Sequence, residues 1–233
     1  MKRPSSDASF SLPLQTLAKL KPARDLFYLK RSIPDMSQYR VAHLTIKAWA
    51  KGRGLYAAKF GFLGGINISA LLVPVCKLLA CSGRIFSAAD ILVSFFNHYA
   101  SFDWKRQLVY DPFFHKDLKY HRTFREPLCL LGWHAPSLNT TMNASAPTMK
   151  TLETEFVRAR ELLDQANTTW AGFLGINTTN AQVTTAHPGA SEFLQAYKSY
   201  VKIDAHYWGP SPSKGSKFLG WLESRCISIL VGT

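Results

Sequence analysis

The chain has 233 residues, 47% of them hydrophobic and 18% charged, which excludes a disordered polyelectrolyte and is enough to bury a sizeable core. Its formal charge of +13 at pH 7 calls for a polyanionic partner, either nucleic acid or an acidic membrane surface. No apolar run reaches the roughly 18 residues of a membrane span, Leu71 to Cys81 being interrupted by Pro74 and Lys77, so nucleic acid is favoured and no membrane is expected.

Residues 1–16 form a Ser/Pro-rich leader without periodicity, expected to be mobile; the basic Met1-Lys2-Arg3-Pro4 lacks the apolar region of a signal peptide. Leu17 to Ser32 carries Leu20, Leu26, Phe27 and Leu29 and is divided by Pro22. From Gln38 a helix is predicted. Arg40, His43, Lys47 and Lys51 follow spacings of three, four and four, which puts them on one stripe, while Val41, Thr45, Ala48 and Trp49 form another, read as the core face. The basic stripe contains no carboxylate, unlike a solvated face that mixes both signs, and its target is an anion. Gly52 and Gly54 read as a C-terminal cap, followed by Tyr56 and the turn Gly61-Phe62-Leu63-Gly64-Gly65. The glycine pair fits neither the Walker nor the Rossmann spacing, but it lets backbone approach a ligand or a neighbouring helix closely. Ser69 to Leu79 is an apolar helix.

Ser87 caps a further helix running to about Tyr99, with Ile91, Leu92, Phe95 and Phe96 inward. Lys105 to His134 is loop-like and interleaves cations with aromatics. That mixture suits single-stranded nucleic acid, and it equally suits ordinary loop anchors. Met149 to Gln165 is an amphipathic helix with Leu152, Phe156, Ala159 and Leu163 on one face. Residues 177–190 have the composition of a linker. Tyr200, Lys202, Asp204 and His206 then alternate with Val201, Ile203 and Ala205 as in a half-buried strand, Ser211 to Gly215 is a turn, and Phe218 to Val231 a helix. Cys76, Cys81, Cys129 and Cys226 make no CxxC pair, and His115 and His121 have no carboxylate partner at ligand spacing; free thiols and no zinc site are expected.

The run IKAWAKGRGLY followed by GFLGG resembles the central domain of eukaryotic poly(A) polymerases, fungal-type members included, whose usual form is close to IKLWAKRRGIYSNxxGFLGGVSWA. The resemblance is ungapped from Arg40 to Val73 and covers roughly residues 17–233, as a divergent or partial member. It implies that Lys47, Lys51 and Tyr56 contact the triphosphate of ATP and that Gly65 and Ile66 line the nucleotide site. Arg40, His43, Asn143, Lys198 and Lys202 are the candidate RNA contacts. Lysine is a mobile point charge suited to phosphate and a tyrosine hydroxyl adds a donor, so chemistry and resemblance agree. Ala58 stands where the family has an asparagine near the adenine, and Ile68 where it has a tryptophan. LGWHAP (Leu131 to Pro136) takes the place of ITPAYP, so Gly132 and Ala135 remove further polar groups from the expected base pocket. TTMNAS (Thr140 to Ser145) matches STYNVS in its second half.

The fold so implied is mainly α: a helical central domain at 17–176, the linker at 177–190, and at 191–233 the start of an α+β, RRM-like (ferredoxin-like) RNA-binding domain. The implied activity is template-independent addition of AMP from ATP to RNA 3′ ends in the nucleus, with 3′-end processing factors as further partners. The family's Mg²⁺ or Mn²⁺ ions are held by three aspartates, two of them as Asp-x-Asp. The only acid-x-acid pair here is Glu153-Thr154-Glu155, on a predicted helix where positions two apart diverge. This chain alone is expected to supply nucleotide and RNA contacts without catalysis. The alternative is a non-catalytic RNA-binding or regulatory module derived from such an enzyme.

Overall fold

A computed structural model describes residues 12–83, 85–134, 137–175, 195 and 199–231. The first helix, α1 (Leu14–Ser32), starts inside the expected leader and runs through Pro22 without dividing. Pro22 and Ala23 are exposed, so the pyrrolidine ring faces solvent rather than a packed neighbour. After Ile33-Pro34, the Asp35 carboxylate caps α2 (Met36–Gly52) by accepting from the Ser37 and Gln38 amides at 2.8 and 3.0 Å.

The buried face of α2 is Tyr39, Ala42, Ile46, Trp49 and Ala50. Of the predicted face only Trp49 is buried: Val41 is 51% exposed, and Ala48 also faces solvent. Two neighbouring stripes of this helix are apolar, and the one carrying Tyr39, Ile46 and Trp49 has more area to remove from water.

A turn and a short 3-10 segment, Ala58–Phe60, lead to α3 (Gly65–Cys81). This helix begins at the glycine pair itself, four residues before the predicted start. Every residue from Asn67 to Lys77 is buried, so α3 is covered on all sides, as a central helix must be. Against it pack α2 and α4 (Ala88–Ala100), which also meet each other; α5 (Ala146–Leu163) packs on α4, and α6 (Trp170–Phe173) on α5. Ser87 caps α4 as expected, and Gln38 Oε1 accepts from the Ala88 amide at 2.7 Å, joining the starts of α2 and α4. Phe156 of α5 lies against Trp49 and Trp104, with ring centroids 5.6 Å away in both cases, and it also meets Phe95 and Phe96.

Among the described residues between α4 and α5 there is no regular strand, only isolated bridges from Val109 to Leu130 and from Leu131 to Asn139. Buried side chains do the work of a sheet here. Asn139 accepts from the Leu130 amide and donates to the Leu128 carbonyl, while Lys77 of α3 meets Asp111 at 2.5 Å. Asp25 of α1 accepts from the His134 amide and ring Nδ1 at 2.9 and 2.8 Å and from Lys21 Nζ at 2.9 Å, clasping α1 to this loop.

The predicted linker lies outside the described residues. Residues 199–208 contain no strand; Val201, Ile203, Tyr200 and Tyr207 are all exposed, so both alternating faces meet solvent. Strand geometry persists only with a ladder partner, and none lies beside this segment among the described residues. The predicted turn at Ser211 to Gly215 is instead mostly the first turn of α7 (Pro212–Val231), since proline is suited to a first helical position. The described residues are thus mainly helical, as expected, and the α+β unit does not form among them.

Candidate functional site

The glycine turn is built by three local choices. The Leu63 amide bonds to the Leu55 carbonyl at 2.9 Å, closing the loop back onto the end of α2. Gly61 has φ +82, a left-handed conformation that lets the chain pass the Asn143 carbonyl closely. Asn67, in the first turn of α3, then reaches back so that its Oδ1 accepts from the Gly64 amide at 2.7 Å, and its Nδ2 donates to the Thr140 carbonyl and hydroxyl at 3.1 and 3.0 Å. Asn67 therefore fixes the start of α3 against the segment before α5. It is 1% exposed, and its significance is visible only in three dimensions.

Above this turn lies the basic stripe. The Lys47 ammonium sits 5.3 Å and that of Lys51 5.8 Å from the centre of the Tyr56 ring, one turn of α2 apart. The Tyr56 hydroxyl would stand 3.6 Å from a Cβ placed on Gly65. His43 Nε2 lies 3.3 Å from the Gly65 carbonyl, which can only accept, so the ring donates from Nε2. Burial pushes His43 below its ordinary pKa; the Gly65 carbonyl opposes that shift and the neighbouring Lys47 charge adds to it. The ring is neutral at pH 7. Gly64, at the N-cap of α3, has no side chain to satisfy the helix's first amides, and the positive end of the helix dipole coincides with the two lysines. Two ammonium groups, a phenol and a helix N-terminus converge on a surface where Gly65 removes bulk, an arrangement whose chemistry suits an anion.

Of the expected nucleotide residues, Lys47, Lys51, Tyr56 and Gly65 come together here, and Ile66, 43% exposed, follows on the first turn of α3. Arg40 is exposed one turn before His43 on the same stripe. Asn143 lies under the turn, its Nδ2 at 3.5 Å from the Ala58 and Lys59 carbonyls. Lys202 is not brought to the site; it is exposed and pairs with Asp204 at 3.1 Å. Lys198 lies outside the described residues.

Two of the substituted positions read differently in three dimensions. Ile68 is fully buried, so the tryptophan position is a core position of α3. Gly132 is not beside the glycine turn: a Cβ there would meet Lys21 Nζ at 2.5 Å and Asp25 Oδ2 at 3.3 Å, so glycine leaves room for the α1 clasp. Ala135 lies outside the described residues. Ala58 is exposed beside Gly64, within reach of the turn but with only a methyl group to offer.

Among the described residues no three His, Cys, Asp or Glu side chains gather in a way that could hold a metal ion. The buried or half-buried carboxylates already have partners, Asp25 in the clasp, Asp111 with Lys77, Glu126 with Tyr120 and Glu155 with Arg53. The described residues do not by themselves form a two-metal centre.

Residues 38–174 match the family model described as the poly(A) polymerase central domain. The chain is 25% identical to a poly(A) polymerase of Dictyostelium discoideum over 94% of its own length and 26% of that protein. It is 27% identical to the nuclear poly(A) polymerase 1 of Arabidopsis thaliana over 91% of its length and 28% of that protein. To the poly(A) polymerase PAPa of Candida albicans it is 26% identical over 58% of its length and 25% of that protein. The chain spans about a quarter of the length of these curated relatives. The likeness is to eukaryotic poly(A) polymerases, those of Dictyostelium, Arabidopsis and Candida among them.

Proposed function

This chain belongs to the poly(A) polymerase central-domain family, and from that premise we propose that it binds the triphosphate of ATP at the Lys47–Lys51–Tyr56–Gly65 surface for transfer of AMP to an RNA 3′ end. The observation that supports this most directly is the convergence of both lysines on the Tyr56 ring beside the N-terminus of α3. Flexible ammonium groups neutralise phosphate oxygens without demanding one geometry, and the first amides of α3 add donors at no conformational cost. Ile66, exposed on the rim, offers an apolar edge to the nucleotide.

The role assigned to this chain is positioning. Aspartates that hold the divalent ions would come from a separate nucleotidyltransferase domain, and the nucleus is the expected compartment, as the names of the Arabidopsis relatives suggest. Arg40 continues the basic stripe away from the triphosphate and suits the RNA backbone, and His43, neutral at pH 7, adds an uncharged ring beside it. With Ala58 in place of an asparagine, the nucleotide is held by its phosphates more than by its base. ATP and GTP should then bind with similar affinity.

The test is titration of ATP into the chain and into Lys47→Ala at low ionic strength. Loss of one charge-assisted contact is worth about 1.5–3 kcal/mol, so a weakening of about tenfold or more is expected. Unchanged affinity in Lys47→Ala would remove the site from this surface. Binding that falls steeply with salt and is spread evenly over many basic residues would favour the RNA-binding module instead.

A further inference from the structure

A second basic feature lies away from the glycine turn. The loop residues Trp104 to Arg106, the segment Arg122 to Pro127 and the first turns of α5 enclose an open cleft of about 610 Å³. From this cleft we infer that the chain carries a separate site for single-stranded RNA, built from Lys105, Arg106 and Phe124. The inference rests on the reading of RNA as the polymer this protein handles, but it uses none of the residues of the triphosphate surface.

The cleft is shaped before any ligand arrives. Arg122 donates from Nε, Nη1 and Nη2 to the carbonyls of Glu126, Gln107 and Pro127 at 2.8, 2.6 and 2.9 Å, fastening the two loop walls together while its charge remains. The Glu126 carboxylate is occupied by Tyr120, the Thr123 amide and Asn139, and Glu153 by Lys150 at 3.4 Å. Two cations remain at the rim. Lys105 is exposed, and Arg106 is 89% exposed with only a long contact of 3.9 Å to Asp103. Phe124 is 93% exposed, an unusual position for a phenylalanine, and the Arg125 guanidinium lies 5.4 Å from its ring centre.

An exposed ring flanked by exposed cations offers a base a stacking surface and its phosphates counter-charges, which is how single strands are held without sequence readout. An acidic peptide would use the cations but would leave the Phe124 ring unexplained. RNA is therefore the occupant favoured.

The experiment measures fluorescence anisotropy of a labelled oligo(A) 12-mer with the intact chain, over a range of salt. Phe124→Ala should weaken binding about fivefold or more, as loss of one stacked base implies. Lys105→Glu with Arg106→Glu should reduce the slope of log affinity against log salt by about 1.4, at about 0.7 for each lost phosphate contact. The same charge change on α1, Lys19→Glu with Lys30→Glu, is the control for net charge and should have a much smaller effect. All these side chains are exposed, and circular dichroism verifies that each variant folds. Equal weakening by the α1 control, or full affinity in Phe124→Ala and the rim variant, would overturn the inference. So would preferential binding of an oligo-glutamate peptide that the rim variant loses while RNA affinity is kept. ATP titrations on the same variants should be unchanged, so a failure of the triphosphate site and a failure of this one give different results.

Discussion

At Gly65 an added methyl group would stand 3.6 Å from the Tyr56 hydroxyl, an ordinary contact, while at Gly61 it would strike the Asn143 carbonyl in a backbone region that side chains avoid. These glycines therefore answer to different demands. Gly61→Ala should lower stability by about 1–2 kcal/mol from the left-handed conformation alone, with the clash in addition, and a thermal melt would register it. Gly65→Ala should melt at the wild-type temperature or slightly above, because alanine is the better helix residue. Its effect belongs to binding. The methyl enters the space between Tyr56 and the start of α3, so ATP affinity should fall while the fold is intact. If Gly65→Ala binds ATP as tightly as the parent, the triphosphate does not approach α3 as closely as proposed.

Helix α3 depends on a single polar side chain for its starting geometry. Asn67→Ala would remove the acceptor for the Gly64 amide and the donor to Thr140 in a fully enclosed place. Loss of the cap and of a buried hydrogen bond should cost about 2 kcal/mol or more, read from urea midpoints. Asn67→Ser, which restores the residue the family pattern carries there, keeps a short acceptor but cannot span to Thr140, and should fall between the two. Elements of this kind set the limit of what sequence could tell. The Ser87 cap, the Phe95–Phe96 face and the Leu152–Phe156–Ala159 stripe follow from local periodicity, and all are present. The buried face of α2 was not legible, because two adjacent stripes are apolar and only packing against α3 and α4 chooses between them. The lysine and tyrosine cluster could be anticipated from spacing and family pattern, but Asn67 could not, since its partner Thr140 is distant in the chain. The strand expected at residues 200–206 shows the converse: alternation is a pattern that a strand needs, and without a neighbour to bond it produces no strand.

Two of the carboxylates that hold the irregular segment between α4 and α5, Asp25 and Glu126, make the molecule's stability sensitive to acid. Burial alone would raise both, but hydrogen bonds outweigh it: His134 and Lys21 hold Asp25 below its ordinary value, and the Thr123 amide, Tyr120 and Asn139 hold Glu126 down to about 2. A carboxyl depressed in the folded state binds fewer protons there than in the unfolded chain. Its stabilisation is complete above the unfolded value, near 4.5 for glutamate, and is lost as pH falls from there toward about 2. Urea midpoints should therefore decline between pH 5 and pH 2. Glu126→Gln should be less stable at pH 7, because it replaces a charged acceptor for the Thr123 amide and hydroxyl, and its midpoint should decline less steeply in acid. Asp25→Asn should behave likewise, and the two changes should be close to additive, since the α1 clasp and the Tyr120–Asn139 cluster share no partner. A parent whose midpoint is flat to pH 3, or a Glu126→Gln variant with the parent's pH slope, would show that these hydrogen bonds do not carry the loop. The expected outcome instead makes the segment that shapes the RNA cleft the first part of the molecule to loosen in acid, so oligo(A) affinity through Phe124 should fall over the same pH range.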